Sequence, residues 1–237
     1  MNGFFITGTD TDAGKTVLLS LLLGAFNSLG YRSLPMKPAQ SGCENNTPDL
    51  DYALSIAGLN PTKENLSLMA PACYAPACSP HLAAEIENRP VDIDIIMKSF
   101  AKLKKQSDML LVEGAGGIMV PLNREVLMID LMKKMKLPVI IASRPGLGTI
   151  NHTLLSVKSL QRNDIEIAGI VFVHTHIDSE DFTTEDNKKT IFEFGSIPII
   201  GSIPYEKALE SVHPPKFDDL PFLVTHEVLK VAKRISK

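Results

Sequence analysis

The chain of 237 residues is long enough for one large domain with a sizeable core, and its 44% hydrophobic and 22% charged residues indicate a soluble globular protein. The net charge of −3 without a basic block argues against nucleic-acid binding, and no apolar run reaches the length of a membrane span. Three cysteines cannot form a disulfide framework and no secretory signal is visible, so we expect free thiols in a cytoplasmic protein.

A phosphate-binding loop follows the first predicted strand. The apolar run Phe4 to Ile6 predicts a buried parallel strand, and residues 8–16 read GTDTDAGKT. The segment resembles the pattern G-x-x-x-x-G-K-T, although five residues rather than four separate its two glycines. Lys15 supplies positive charge for phosphates, and Thr16 offers a hydroxyl to Mg²⁺. The apolar helix predicted from Val17 to Leu29 points its positive dipole end at the same place.

Two polar segments come next. The predicted strand Arg32 to Met36 leads into KPAQSG at residues 37–42, a position where ligands bind in open α/β sheets. Lys37 either reaches a phosphate or substrate anion there or is an ordinary solvated lysine. Asp49 and Asp51 follow at the start of a predicted helix, where the dipole favours acids, and either could instead hold a metal ion.

The middle of the chain contains a second carboxylate at a strand end. Residues 61–90 are rich in proline and alanine and predict a loop with one short helix, Leu82 to Glu87. An amphipathic helix is predicted from Asp92 to Lys105. The apolar strand 109–113 then ends in Glu113, before the turn GAGG. A phosphate-loop enzyme needs such a carboxylate as a second metal contact, made directly or through water.

The C-terminal half also alternates strands and helices. A helix is predicted from Thr149 to about Leu160, and Thr149 either belongs to an anion-binding helix start or is only its N-cap. Residues 178–186 predict an acidic loop leading into a helix, and Thr225 is predicted to cap the last helix. The other predicted elements are the helix Met128–Met135, the strands Pro138–Ala142, Ile167–Val173 and Ile197–Ile200, and a strand-end segment 201–206 that can touch a nucleotide.

The alternation of apolar strands and helices predicts the fold class. We expect one doubly wound α/β domain over residues 1–237, with a mostly parallel sheet of the P-loop NTPase type and helices on both faces. His174 and His176 resemble a metal pair, but at a strand end such a spacing is more often structural.

The motifs together resemble those of the dethiobiotin synthetases, the ATP-dependent ring-closing enzymes of biotin synthesis. They span nearly the full chain in the family's order, and the combination is far more specific than the phosphate loop alone. The matching segments are GTDTDAGKT at 8–16, KPAQSG at 37–42, SPH at 79–81, VEGAGG at 112–117, LGTINH at 147–152 and GSIP at 201–204.

The resemblance implies an ATP site with Mg²⁺. Lys15 and Lys37 would be the catalytic residues, because they would stabilise a carbamate and the transferred phosphoryl group. Mg²⁺ would be bound by Thr16, Glu113 and a third carboxylate, for which Asp51 is the assignment and Asp49 the close alternative. The residues implied to hold the nucleotide and its metal are Asp12, Ala13, Gly14, Lys15, Thr16, Val17, Asp51, Glu113, Gly114, Ala115, Gly116, Pro204, Tyr205 and Glu206.

The resemblance also implies the other substrates and a partner. These are 7,8-diaminononanoate and CO₂ or bicarbonate, with Thr11 and Ser41 in contact with the diamine. The family is homodimeric, and the helix start would hold the substrate carboxylate from the partner subunit. That helix start comprises Gly148, Thr149, Ile150 and Asn151. Such a role gives a reason for an anion-accepting helix start far from the phosphate loop in sequence.

One position departs from the family pattern. Similar sequences usually carry an asparagine that reads the adenine edge where this chain has Val173. Valine cannot donate or accept hydrogen bonds, so we predict a relaxed preference for ATP over other nucleoside triphosphates.

The competing hypothesis is a dimeric P-loop switch ATPase that partitions or positions cellular cargo. Such proteins usually carry an extra lysine just after the first glycine of the loop, where this chain has Thr9 and Asp10. An amidotransferase is a further alternative, but it would need a glutaminase domain for which no residues remain.

Overall fold

The computed structural model describes residues 3–44, 46–176 and 182–236. The strands are β1 (Gly3–Gly8), β2 (Ser33–Met36), β3 (Gln40–Ser41), β4 (Cys73–Tyr74), β5 (Met109–Glu113), β6 (Val139–Ser143), β7 (Ile167–Val173) and β8 (Ile199–Ile203). The helices are α1 (Lys15–Ser28), α2 (Pro48–Ala57), α3 (Lys63–Met69), α4 (Pro80–Ile86), α5 (Ile93–Gln106), α6 (Met128–Met135), α7 (Thr149–Arg162), α8 (Phe182–Gly195) and α9 (Phe222–Ile235). Short 3₁₀ turns lie at Lys207–Glu210 and Phe217–Asp219.

Six strands form one parallel sheet in the order β2-β5-β1-β6-β7-β8. Every residue of β1, β5 and β6 is buried, because helices cover both faces of the sheet. Their near-continuous apolar sequences are those expected of parallel strands in such a position. The predicted doubly wound sheet is therefore confirmed. The short strands β3 and β4 pair separately, also in parallel.

A hydrophobic core lies on each face of the sheet. On one face, α1 and α9 bury apolar side chains such as Leu18 and Val228. On the other face, α5, α6 and α7 bury Leu103, Leu131 and Leu160. Fully burying one such side chain contributes about 1.5–3 kcal/mol, so the two cores hold the sheet rigid between the helix layers.

The strand order brings three loops to one edge of the sheet. β1 lies beside β5, and β5 lies beside β2, with all three strands parallel. The loops that follow them begin at residues 9, 37 and 114. These loops meet at the carboxyl edge of the strands, where ligands bind in open α/β sheets.

The region 61–90 contains a helix that the sequence did not predict. Within the expected loop, α3 occupies Lys63–Met69. Thr62 caps it, since its hydroxyl accepts a hydrogen bond from the Asn65 N–H at 3.3 Å. The high proline and alanine content of the flanking residues hid this short element.

Several other boundaries differ from the predictions. β8 continues to Ile203, so residues 201–203 belong to a strand rather than to the segment beyond it. The last helix begins at Phe222, and Thr225 lies inside it, where its hydroxyl donates to the Phe222 carbonyl at 3.1 Å. Of the predicted acidic loop 178–186, residues 178–181 lie outside the described residues, and α8 begins at Phe182. Among the described residues, none of the helices combines the length and apolar character needed to cross a membrane.

Candidate active site

The phosphate-binding loop connects β1 to α1 with an unusual backbone. Asp12 and Gly14 have φ angles of 58° and 83°. A Cβ on Gly14 would lie 2.5 Å from Cγ1 of Val173, so both the backbone angle and the close packing require glycine there. Lys15 folds back over the loop, and its Nζ donates to the Asp10 carbonyl at 2.8 Å. The open N–H groups at the start of α1 suit phosphate oxygens.

A buried charged cluster lies beside this loop, at the ends of β2 and β5. Lys37 is 5% exposed and Glu113 is 2% exposed, and Lys37 Nζ donates to Glu113 Oε1 at 2.6 Å. The same ammonium lies 2.6 Å from Asp49 Oδ2 and donates to the Gly114 carbonyl at 3.2 Å. The Thr16 hydroxyl donates to Glu113 Oε1 at 2.8 Å. Buried charges persist in proteins only when they are paired in this way, and such clusters mark candidate functional sites.

The surroundings shift the pKa values of the two lysines in opposite directions. Burial opposes the charge on Lys37, but Glu113 and Asp49 outweigh it and raise the pKa of its ammonium group. Burial lowers the pKa of Lys15, against the attraction of Glu113. Burial also raises the pKa of Glu113, against its pairing with Lys37. Lys37 is therefore a permanent cation at neutral pH, and Lys15 is the lysine that loses its proton first as the pH rises.

The structure brings Asp49 rather than Asp51 to the cluster, whereas the sequence assigned Asp51 as the third carboxylate with Asp49 as the alternative; which of them contacts the metal stays a prediction. Asp49 pairs with Lys37 and lines the cavity above it. Asp51 is exposed and turns back on its own helix start, where it accepts hydrogen bonds from the Thr47 N–H at 2.9 Å and the Thr47 hydroxyl at 3.0 Å. Two residues of a helix separate the directions of these side chains by about 200°, so only one of them can face the site.

A cavity of about 770 Å³ opens over the cluster. The predicted site residues in its walls are Thr11, Asp12, Gly14, Lys15, Thr16, Val17, Lys37, Ser41, Glu113, Ala115 and Gly116. Ala13 is fully buried within the loop, and Gly114 contributes its carbonyl to Lys37. The walls also contain residues that sequence reasoning did not assign, namely Gln40, Ala77, Cys78, Ser79, Pro80, Val120, Thr175 and His176. Gln40, Ser79 and Pro80 lie in motif segments that could have revealed them, whereas Ala77 and Val120 carry no such signal.

A second, small cleft of about 70 Å³ lies at the start of α1. Pro204, Tyr205 and Glu206 line it together with Val17 and Val173. The three residues predicted to lie near the nucleotide therefore share a cleft with the start of α1. Val173 is 1% exposed and packs against Gly14, so its side chain presents only methyl groups here.

The four predicted residues at the start of α7 do not line the main cavity of their own chain. Gly148, Ile150 and Asn151 line a separate groove of about 530 Å³. Gly148, with φ 90°, is the N-cap of α7, so Thr149 is not the cap. The Thr149 hydroxyl is buried and lies 2.8 Å from Ser143 Oγ, and Thr153 Oγ1 lies 2.8 Å from that same Ser143 oxygen. This side chain is thereby used in packing α7 onto β6.

The donor atoms beside the phosphate loop fit Mg²⁺. Thr16, Asp49 and Glu113 offer hydroxyl and carboxylate oxygens, which are the ligands that this hard cation prefers. One or two carboxylates together with phosphate oxygens and water are the usual arrangement for magnesium in phosphoryl-transfer sites. Among the described residues, no group of three or more histidine, cysteine or acidic side chains could by itself hold a metal, so His174 and His176 are not part of such a cluster. His174 Nε2 lies 3.2 Å from Ser202 Oγ.

The parallel sheet, the phosphate loop and the buried lysine–carboxylate cluster define a P-loop nucleotide-dependent enzyme. A family model described as an AAA domain (AAA_26) matches residues 2–213. The ATP-dependent dethiobiotin synthetase BioD of Thermodesulfovibrio yellowstonii is 37% identical over 212 residues, which cover 86% of this chain and 88% of the relative. The BioD of Bacillus cereus is 36% identical over 219 residues, covering 89% of each chain. The chain belongs to the ATP-dependent dethiobiotin synthetase family.

Solved structures that resemble the chain at low identity support the fold alone. The septum site-determining protein MinD with Mg-ADP from Pyrococcus horikoshii has a TM-score of 0.63 at 15% identity and covers 100% of this chain and 96% of that chain. The MinC:MinD complex of Aquifex aeolicus gives a TM-score of 0.69 at 17% identity with the same coverage. A ParA family ATPase from Chlorobium tepidum gives 0.63 at 13% identity and covers 98% of both chains. These likenesses agree with the P-loop sheet.

Proposed function

We propose that this protein closes the ureido ring of dethiobiotin from 7,8-diaminononanoate, CO₂ and ATP. The observation that carries the proposal is the buried cluster of Lys37, Glu113 and Asp49 beside the phosphate loop, in a chain of the dethiobiotin synthetase family. The cluster joins a fixed positive charge to a phosphate-binding loop inside one cavity. A reaction that joins a carbamate to a phosphoryl group needs that combination.

The proposed reaction has three steps. One amine of the substrate adds to CO₂ and loses a proton, which gives a carbamate. A carbamate oxygen then attacks the γ-phosphorus of ATP, ADP leaves, and a carbamic–phosphoric anhydride remains. The second amine attacks the anhydride carbon, the five-membered ring closes, and phosphate leaves with the C–O bond electrons. Both nucleophiles belong to the substrate, so the protein needs to supply only position and charge.

The two lysines supply this charge at different places. Lys37 is a permanent cation with a buried, fixed ammonium group, which suits the carbamate oxygens and the phosphoryl group. The Lys15 ammonium donates to the Asp10 carbonyl, a contact that it would exchange for the ATP phosphates. Thr11 and Ser41 line the same cavity and offer hydroxyls to the diamine. Preorganised charges of this kind contribute about 10²–10³-fold in rate for each group.

Thr16, Asp49 and Glu113 would hold Mg²⁺, which supplies neutralising charge to the ATP phosphates when bound. Lys37 keeps the Asp49 and Glu113 carboxylates close together by pairing with both. The Glu113 carboxylate is buried, and an unpaired buried charge is unfavourable because it has lost its hydration. The attraction of a cation beside the carboxylate offsets that desolvation penalty.

We also propose a homodimer in which the start of α7 holds the substrate carboxylate from the partner subunit. Gly148, Ile150 and Asn151 do not line the main cavity of their own chain. Beside them, Leu147 is fully exposed and Leu155 is 62% exposed. These two apolar side chains offer a surface that a second copy of the chain could cover. The cytoplasmic location stays a prediction from the sequence.

Phosphate release from MgATP tests the proposed function directly. It is measured with and without 7,8-diaminononanoate and bicarbonate, and the product is identified by mass. We expect release that depends on both compounds and a product with the mass of dethiobiotin. Turnover that is indifferent to the diamine would contradict the proposal and favour a switch ATPase, whose hydrolysis needs no small-molecule acceptor.

A further inference from the structure

The main cavity has in its wall one buried polar group that the described contacts do not explain. Gln40 is 3% exposed and lines the cavity, yet its carboxamide oxygen has no hydrogen-bond partner among the described residues. Its backbone is fixed, because the N–H donates to the Ala72 carbonyl at 2.9 Å within the β3–β4 ribbon. A buried acceptor without a donor is unfavourable, so an unpaired oxygen at a cavity wall indicates a partner that arrives with the ligand.

We propose that the Gln40 side chain accepts a hydrogen bond from an amine of the diamine substrate, an inference that rests on the proposed function. A carboxamide oxygen needs a donor, and neither CO₂, a carboxylate nor an ionised phosphate carries an N–H that could pair with it. The N–H that a carbamate keeps belongs to one of the two nitrogens of the diamine. The nucleoside would lie at the cleft that Val17, Val173 and Pro204 line, which does not include Gln40. The two amines are the donors that remain.

The position of Gln40 in the chain agrees with this assignment. It lies three residues after Lys37 and directly before Ser41, and all three side chains line the same cavity. The terminal torsion of a glutamine is soft and roughly two-fold, so the oxygen can turn to a bound amine without any movement of the backbone. Lys37 repels an ammonium group, whereas a carboxamide oxygen attracts an N–H, so the segment offers opposite environments for the carbamate and for an amine.

The contact would serve the ring-closing step. When the second amine attacks the anhydride carbon, the new N–C bond leaves positive charge on nitrogen, and the proton passes to the departing phosphate. An acceptor on that nitrogen stabilises the developing charge and directs the lone pair at the carbon. Gln40 would thus bind and orient the diamine while leaving the binding of ATP unchanged.

The first test compares the wild-type protein with Gln40→Met, which keeps the length of the side chain and removes the acceptor. Gln106→Met, at the exposed end of α5, is the matched control. We expect kcat/KM for the diamine to fall about 10- to 100-fold in Gln40→Met, as for a lost hydrogen bond to an amine, with KM for ATP within about twofold of wild type. An unchanged value for the diamine, or an equal loss toward ATP, would overturn the assignment.

A second measurement separates contact from structural support. Calorimetry gives the affinity of the wild-type protein and Gln40→Met for the diamine, for 7-aminononanoate and for 8-aminononanoate. If Gln40 binds an amine, the effect of the substitution shrinks for at least one analogue that lacks an amine. An equal loss of affinity for all three compounds would show a structural role and refute the proposal. If the wild-type protein shows no diamine-dependent phosphate release, it is the proposed function that fails.

Discussion

Asp49 and Asp51 lie two residues apart in the first turn of α2, yet only Asp49 meets the buried ammonium of Lys37. We expect Asp49→Asn to lower kcat at least 10²-fold, because it removes charge from both the lysine and the proposed Mg²⁺ site. Asp51→Asn is the matched change, and it should keep activity within a fewfold of wild type while lowering the free energy of unfolding by about 1 kcal/mol through its Thr47 contacts.

Steady-state kinetics and urea unfolding of the two variants check this expectation. Equal losses of activity in both would show that the acidity of the helix start, rather than the position of Asp49, matters. A loss confined to Asp51→Asn would return the metal contact to that residue.

The two active-site lysines should titrate on opposite sides of the ordinary lysine pKa. Burial lowers the pKa of Lys15 from 10.5, and the carboxylates raise that of Lys37 above the same value in spite of its burial. NMR of ¹³C-labelled lysine, with Lys15→Met and Lys37→Met to assign the signals, measures both. Because Lys15 binds phosphate as a cation, the affinity for ATP should fall with rising pH as its lowered pKa is passed. Two signals that both titrate at 10.5 would refute this.

Val173 bears on the choice of nucleotide. It is buried against Gly14 and has no polar atom for a base edge, so we expect kcat/KM for ATP and GTP to agree within about tenfold. Val173→Asn should raise the ratio of ATP to GTP, and a thermal melt controls for the cost of a buried amide. A strong preference for ATP in the wild-type protein would contradict the prediction.

The sequence predicted the residues of the phosphate loop, Lys37 and Glu113, because each is fixed by a motif at the end of an apolar strand. It could not choose between Asp49 and Asp51, since the choice depends on the rotation of α2, which tertiary packing sets. It also missed Gln40, whose burial and lack of a partner become visible only once the β3–β4 ribbon is formed.

At the level of elements, α5 is a helix whose N-cap side chain bonds the backbone of the first turn, so its start can be tested by substitution. Asp92 accepts hydrogen bonds from the N–H groups of Asp94 at 2.8 Å and Ile95 at 3.0 Å. Asp92→Ala should lower the free energy of unfolding by about 1 kcal/mol. Asp94 lies in the same turn but makes no capping bond. Asp94→Ala should therefore lower the free energy of unfolding by about half as much or less, because it removes only the attraction of a carboxylate to the helix dipole. Denaturant unfolding measures both, and an equal cost would mean that charge alone stabilises this helix end.

Strongly periodic or fully apolar elements were predicted well, and short irregular ones were not. The strands 109–113 and 167–173 and the helix 128–135 match the structure at both ends. The seven-residue helix α3 was missed because it is too short for a clear period and lies among prolines. Thr225 was taken for a cap, although the chain enters α9 earlier, at Phe222.

At the scale of the whole molecule, the exposed Leu155 of α7 and Leu147 just before that helix bear on the proposed dimer. Leu155→Arg places a charge on a 62%-exposed apolar site, so we expect it to shift the protein toward monomer and to raise KM for the diamine. Phe222→Arg, at a 77%-exposed position on α9, is the control and should change neither. Light scattering after size-exclusion chromatography measures the mass. A monomeric wild-type protein with full activity would rule out a shared site.

The central place of β1 in the sheet also has a consequence for how the chain is made. β1 is synthesised before both of its neighbours in the sheet, which begin at Met109 and Val139. At roughly 5–20 residues per second, the ribosome takes on the order of ten seconds to deliver both of them. During that time Phe4, Phe5 and Ile6 have no sheet partner on either side. Nascent β1 therefore leaves apolar side chains for chaperones to shield, and the nucleotide loop attached to it lacks its supporting sheet until β6 (Val139–Ser143) has been translated.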